Sequence, residues 1–237
     1  QMSLKFPVSL VGKRGGAPDV SYLGGDATLQ SVNVQTYSNF DIGEPDPNRI
    51  ILIQMGGRYD GSSWSGANVK VGGIQATVVA SSSFGFLTGV RLYKVNVPTG
   101  TTADVEITKP NGSTKSTNGF QAYRVVASNI SLVDSAEDSC NGYNFQCGDV
   151  ATGLVTTVNT IPNGVVLALG YWRFSYDDRF GGLTWTGVEQ DGYVAQSGMT
   201  LASAGLISDG SEVTVSAQTN TDDSDGKRML MVCLEII

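Results

Sequence analysis

The chain predicts an all-β fold, an antiparallel sandwich in which one strand pattern is used twice. Short runs of β-branched and aliphatic residues, bounded by glycine, proline and asparagine, recur along all 237 residues, 30 of which are glycine. The stretch Asn48-Arg-Ile-Ile-Leu-Ile-Gln-Met-Gly-Gly57 returns in pattern as Asn163-Gly-Val-Val-Leu-Ala-Leu-Gly-Tyr-Trp172. The segments downstream of the two copies also correspond. After the first come Trp64-Ser-Gly and strands over 74–79, 90–95, 104–108 and 120–126. After the second come Trp185-Thr-Gly and strands over 193–196, 201–207, 212–217 and 227–236.

Taken in order, residues 1–26 read as an extended arm. Pro7, Gly12, Gly15, Gly16, Pro18, Gly24 and Gly25 interrupt any regular element, while Lys5, Lys13 and Arg14 make this the most basic part of an acidic chain. Its apolar set Leu4, Phe6, Val8, Leu10 and Val11 suits either a strand added to a neighbouring sheet or one folded onto its own sandwich. A first strand is expected from Thr28, followed by the turn Gly43-Glu-Pro-Asp-Pro-Asn48, whose two prolines exclude a sheet interior. The core strand at 49–55 leads to a glycine- and serine-rich loop over 57–67. Val69-Lys-Val-Gly-Gly-Ile-Gln-Ala-Thr-Val reads as a hairpin, because Gly72-Gly73 supplies the positive φ angles of a primed two-residue turn.

Residues 129–149 form the expected junction between halves of about 28–128 and 150–237, with room for one helical turn over Asp134–Asp138. The runs Ile50–Ile53, Val165–Leu169 and Met229–Leu234 are apolar at consecutive positions. A two-sheet sandwich alternates apolar with polar, so these strands require cover on both faces. The arm and long loops are one source of such cover, and a neighbouring subunit is another.

Composition narrows the function classes. A formal charge of −7 disfavours nucleic acid and anionic membrane surfaces as partners. No apolar run approaches the ~20 residues of a membrane-spanning helix. Pro7 interrupts the short apolar segment at the start, so the expectation is a protein made in a cytoplasm and left unprocessed. The chain has no histidine, which removes Ser-His and Cys-His nucleophile pairs, and no phosphate-cradling loop with its lysine is present.

Asp60, Asp177, Asp178 and Glu189 are the candidates for a paired-carboxylate glycosidase, but such acids are ordinary on sandwich loops. Asp222, Asp223 and Asp225 lack the rest of a calcium-loop pattern and read as a solvated turn. The reading therefore assigns no catalytic residue, no metal and no cofactor. Three cysteines leave at least one unpaired. Cys140 and Cys147 flank a loop whose closure contributes roughly 2.5 kcal/mol in the chain-entropy model, and bonded and free states both stay open. Cys233, in the last apolar strand, reads as a buried thiol.

The aromatic loops are the better lead. Tyr171, Trp172, Tyr176, Asp177, Asp178 and Arg179 combine flat rings with planar hydrogen-bonding groups, a set suited to sugar rings. Trp64 and Trp185, which match in the repeat, read instead as caps on the core.

The phrases Val69-Lys-Val-Gly-Gly-Ile-Gln-Ala-Thr-Val-Val, Val97-Pro-Thr-Gly-Thr-Thr-Ala-Asp-Val and Gly182-Leu-Thr-Trp-Thr-Gly, in this strand context, resemble β-sandwich virion proteins of tailed phages. The gene-transfer-agent head spikes are similar in type. The resemblance spans about residues 28–237 and rests on pattern and turn phrases, with no catalytic signature and no site residue to carry over. It implies a jelly-roll-like decoration, head-fibre or spike protein, assembled in the host cytoplasm into the virion. Its implied partners are the major capsid or another virion protein, further copies of itself and, in some members, host-surface polysaccharide.

The expected organisation is one sandwich domain over 27–237, anchored by an arm over 1–26 through Leu4, Lys5, Phe6, Val8, Lys13 and Arg14. The alternative is a carbohydrate-binding adhesin or receptor-binding module working through the loop at 171–180.

Overall fold

The computed structural model describes residues 18–30, 32–59, 66–84, 88–109, 116–141, 154–174, 183–196, 199–219 and 224–237. These form seventeen strands. The first half contains β1 (Asp19–Gln30), β2 (Val34–Asp41), β3 (Arg49–Tyr59), β4 (Asn68–Val71), β5 (Ile74–Gln75), β6 (Thr77–Phe84), β7 (Thr88–Asn96), β8 (Thr102–Thr108) and β9 (Ser116–Val126). The second contains β10 (Ile130–Asn141), β11 (Leu154–Val158), β12 (Pro162–Phe174), β13 (Leu183–Thr186), β14 (Glu189–Gln196), β15 (Met199–Asp209), β16 (Val213–Thr219) and β17 (Ser224–Ile236).

The wiring of the two halves is the same. The first has an inner sheet β1-β9-β3-β7-β6 and an outer sheet β2-β8-β4-β5; the second has an inner sheet β10-β17-β12-β15-β14 and an outer sheet β11-β16-β13. Every pairing is antiparallel. In each half the chain passes back and forth between sheets, with the last strand returning beside the first. This is jelly-roll wiring with one extra edge strand, β6 or β14, on the inner sheet. Among the described residues, β5 is the strand without a counterpart.

The two inner sheets pack face to face, giving four layers and three cores. Side chains of β3 alternate accordingly: Ile51, Ile53 and Met55 enter the first half's own core, while Ile50 and Leu52 enter the layer between the halves. On β12, Val166, Ala168 and Trp172 face the second half's core, and Val165, Leu167, Leu169 and Tyr171 face the shared layer. On β17, Met229, Met231 and Cys233 point outward to the second core, and Leu230, Val232 and Leu234 point inward to the shared one. Cover for the doubly apolar strands thus comes from the other half of the same chain, where the arm, the long loops or a neighbouring subunit was expected.

Contacts across this seam are reciprocal. β1 meets β14 as β10 meets β6, β9 meets β15 and β14 as β17 meets β7 and β6, and β3 meets β12 directly. The halves therefore sit about a pseudo-two-fold axis near β3 and β12, as two subunits do across an isologous interface.

Several expectations change. Residues 19–26 belong to β1, with Val20 fully buried, so the arm cannot extend to residue 26; residues 1–17 lie outside the described residues. The first strand expected from Thr28 is two elements, because the chain leaves the inner sheet at Gln30 and enters the outer one at Val34. The expected junction holds β10, the counterpart of β1, and Asp134–Asp138 is extended in register with β17 where a helical turn was expected. The halves are accordingly about 19–126 and 130–236.

Local chemistry explains the turns. Gly72 and Gly73 have φ of 58° and 77° and close the tight hairpin in which Val71 pairs with Ile74. Arg49, fully buried, fixes the two turns at the opposite end from the longer connections. Its Nε donates to Val97 O at 2.6 Å, Nη1 to Gly43 O at 2.6 Å, and Nη2 to Thr99 O and Gly100 O at 2.7 and 2.8 Å. One guanidinium thus satisfies carbonyls on both turns that have no strand partner.

Candidate functional site

The aromatic strand end at 171–172 is the leading sequence candidate for recognition, and its geometry decides the matter for two residues. β12 does not stop at Gly170 but runs on to Phe174, so its side chains keep alternating between covered faces. Tyr171 enters the seam at 1% exposure and Trp172 enters the second core at 0%. Neither ring can offer a face to a sugar, and their assignment as glycan-binding residues is withdrawn. Gly170 makes the burial of Trp172 feasible, because the indole lies over the place where a side chain at 170 would stand. Trp185 meets Trp172 edge to face, with centroids 6.2 Å apart, and is itself partly buried, in keeping with a cap on the core.

Tyr176, Asp177, Asp178 and Arg179 lie outside the described residues, as do Trp64, Asp60 and the arm residues Leu4, Lys5, Phe6, Val8, Lys13 and Arg14. Cys147 lies outside them too, and only the backbone of Cys140, on β10, is described. Cys233 is a free, fully buried thiol whose pKa is pushed up by burial.

The topology does show where the candidate segment after β12 attaches. Arg58 pairs with Thr88 and Tyr59 with Ser116; in the second half Arg173 pairs with Met199 and Phe174 with Ser224. Each half thus gathers the ends of its inner strands on one side. Gly56, near the end of β3, faces Leu201 and Tyr171, so both halves present that side at the same end of the stack.

Two clefts open at corresponding places in the repeat. One, of about 300 Å³, is lined by Ile74, Gln75, Thr77, Lys94, Asn96 and Asn129 among others. The other, of about 510 Å³, is lined by Gly187, Val188, Glu189, Gly205, Leu206 and Ile207. Asn96 pairs with Ile50 as Ile207 pairs with Val165, which fixes the equivalence. In the first cleft the Lys94 ammonium donates to Ile130 O at 2.7 Å and to Asn129 Oδ1 at 3.3 Å, joining the first half to the start of the second. In the second, Glu189 is exposed.

The polar chemistry that sequence reading missed lies in the seam. Tyr123 on β9 donates its phenol to Asp191 Oδ2 on β14 at 2.6 Å, and Gln121 Nε2 donates to Leu201 O at 2.8 Å. Tyr22 packs edge to face on Tyr123, with centroids 5.4 Å apart. Gly192 leaves room for the Tyr22 hydroxyl, which stands where a β-carbon at 192 would be. Asp191 is 1% exposed, and burial raises its pKa from 3.8 to about 7; the Tyr123 hydrogen bond opposes this and the charge of Glu189 adds to it. Burial, with the Asp191 carboxylate, also holds the Tyr22 and Tyr123 phenols well above their ordinary range.

Among the described residues no group of three or more acids or cysteines is placed to hold a metal ion. No family model matches the chain, and no curated protein and no solved structure shows significant similarity to it.

Proposed function

We propose that the chain is a structural protein of a tailed-phage virion, a head decoration or head-fibre and spike component anchored by its N-terminal residues. The observation that carries this reading is the repeat. The sequence phrases that resemble phage virion sandwiches fold as the tight hairpin at Gly72-Gly73 and the turn at Val97–Gly100, within a jelly roll that the chain then builds a second time. Two such units buried against each other place one set of strand ends together, a form suited to displaying loops from a fixed base.

The reading is non-enzymatic. Asp191, whose raised pKa would suit acid–base chemistry, is sealed in the seam beyond the reach of a substrate. Leu4, Lys5, Phe6, Val8, Lys13 and Arg14 are proposed to contact the capsid or another virion protein. Mass spectrometry and antibody-labelled electron microscopy of purified particles test the proposal. The chain is expected at stoichiometric copy number on the head, and its absence from the particle ends the reading.

Host-glycan recognition is retained as a second role for Tyr176, Asp177, Asp178 and Arg179, on the ground that β12 delivers this segment to the end where both halves present their strand ends. Loss of binding on a host-polysaccharide array in Tyr176→Ala, with an unchanged melting temperature, is the expected result. No binding by the unaltered protein removes that role without touching the structural one.

A further inference from the structure

We propose that Asp191 is a proton-operated latch between the two halves: a proton on its Oδ1 keeps the inner sheets closed on each other, and loss of that proton loosens the seam.

The placement carries the argument. Asp191 occupies the bulge in edge strand β14 between Gln190 and Gly192; the corresponding bulge in β6, between Val78 and Ala80, holds the apolar Val79, packed against the shared core. At this position the two halves differ, with a hydrocarbon in the first and an acid in the second. Asp191 Oδ2 is taken by the Tyr123 phenol from the other half, while Oδ1 is buried without a partner. A proton on Asp191 therefore belongs on Oδ1. Gln54 Oε1 and Gln121 Oε1, both on buried side chains of the first inner sheet, are likewise without partners. The Ser203 hydroxyl is also without a hydrogen-bond partner, and a buried layer with this many unpaired polar atoms tolerates a proton on Asp191 better than an added negative charge.

No cation among the described residues faces the carboxyl. β1 presents Tyr22, β9 presents Tyr123, β15 presents Ser203, β13 carries no charged residue, and Glu189 on β14 itself adds negative charge. Asp19 on β1 is bound to Arg124 at 3.1 Å, and Asp26 acts on Tyr37 at the other face of the sheet. Arg124 also reaches Glu44 O, and Arg91 reaches Ala67 O, both away from the seam. Ionisation thus leaves a buried charge whose hydrogen bond from Tyr123 is its one described partner, and opening the halves relieves it by exposing the carboxylate to solvent. The raised pKa of Asp191 agrees with this placement.

Amide hydrogen exchange on the full chain tests the latch, with rates corrected for their intrinsic pH dependence and compared at pH 5.5 and 8.5. Protection in β9, β14 and β15 is expected to fall as pH rises, by up to roughly thirtyfold for a carboxyl that titrates near 7 when closed and normally when open. Protection in the outer strands β8 and β16 should hold. Asp191→Asn keeps an acceptor for Tyr123 and should abolish the fall. Tyr123→Phe removes a hydrogen bond that favours the ionised form, so the midpoint should move to higher pH. Flat protection in the wild-type chain, an equal fall in the outer strands, an undiminished fall in Asp191→Asn or an unmoved midpoint in Tyr123→Phe overturns the proposal.

Discussion

Replacing Trp172 with alanine separates a recognition residue from a core residue. A surface aromatic that stacks on a sugar can be truncated with little effect on folding, whereas Trp172 is fully buried among Val166, Ala168, Met229 and Met231. Truncation removes most of an indole from a closed interior and leaves a cavity that the two facing sheets can only partly fill. Substitutions of this kind cost about 3–5 kcal/mol. The edge-to-face contact with Trp185 is lost as well, a pairing of the sort that contributes about 0.5–1.5 kcal/mol beyond area. For a chain of this length each kcal/mol shifts the melting temperature by roughly 2–4 °C, so Trp172→Ala should melt about 6–20 °C lower. Differential scanning calorimetry, checked by urea unfolding, measures it. A shift below about 2 °C would refute the reasoning, because it would mean that the ring is not packed where the alternation of β12 puts it.

Arg49→Met keeps the apolar stem but removes the donors to Val97 O, Gly43 O, Thr99 O and Gly100 O; a loss of about 3–5 kcal/mol is expected by urea unfolding, with Arg49→Lys intermediate because an ammonium cannot fork between two turns. Gly56→Ala places a β-carbon 2.5 Å from Leu201 Cδ1 and 3.4 Å from Tyr171 Cδ2 across the seam, so overpacking of about 1–3 kcal/mol should result, and an unchanged midpoint would show that the inner sheets do not approach so closely. The folded-state pKa of Asp191 lies above its unfolded value, so its contribution is fully present below pH about 3.8 and is lost as pH rises to about 7. At about 1.4 kcal/mol per unit, the decline from this group reaches at most about 4 kcal/mol. Denaturation midpoints of the wild-type chain should carry that slope, and those of Asp191→Asn should not.

The repeat, the glycine hairpin and the doubly apolar strands are legible in the sequence because each is a local pattern. Two consecutive apolar faces on Ile50–Ile53 already require a third layer, and only its source is hidden. Alternation says that a face is covered and is silent on what covers it. The first strands of both halves escape sequence reading for a physical reason. β1 contains Gly24 and Gly25 and β10 contains five acidic or serine residues within Asp134–Ser139, compositions that disfavour a strand locally. Pairing along their full length with β9 and β17 overrides that preference. Trp172 looks like a loop residue in the sequence because glycine at 170 normally ends an apolar run, whereas here it makes room for the ring two residues later.

Asp191 gives a weaker signal still. Read alone, Gln190-Asp-Gly192 is a turn phrase, and only the bulge it shares with Val79 places the carboxyl inside. That comparison points to a general consequence of building a protein from two copies of one sheet. Identical faces pair equally well with themselves and with each other, so a chain that must close on itself gains from residues that differ between the copies. Gln54, Gln121 and Tyr123 on one inner face stand where Leu169, Leu230 and Val232 stand on the other, and the bond from Tyr123 to Asp191 runs from one half to the other. The polar content of the seam therefore favours the pairing of first half with second over either half with its own kind, and the acid that supplies this discrimination also makes the closure sensitive to protons.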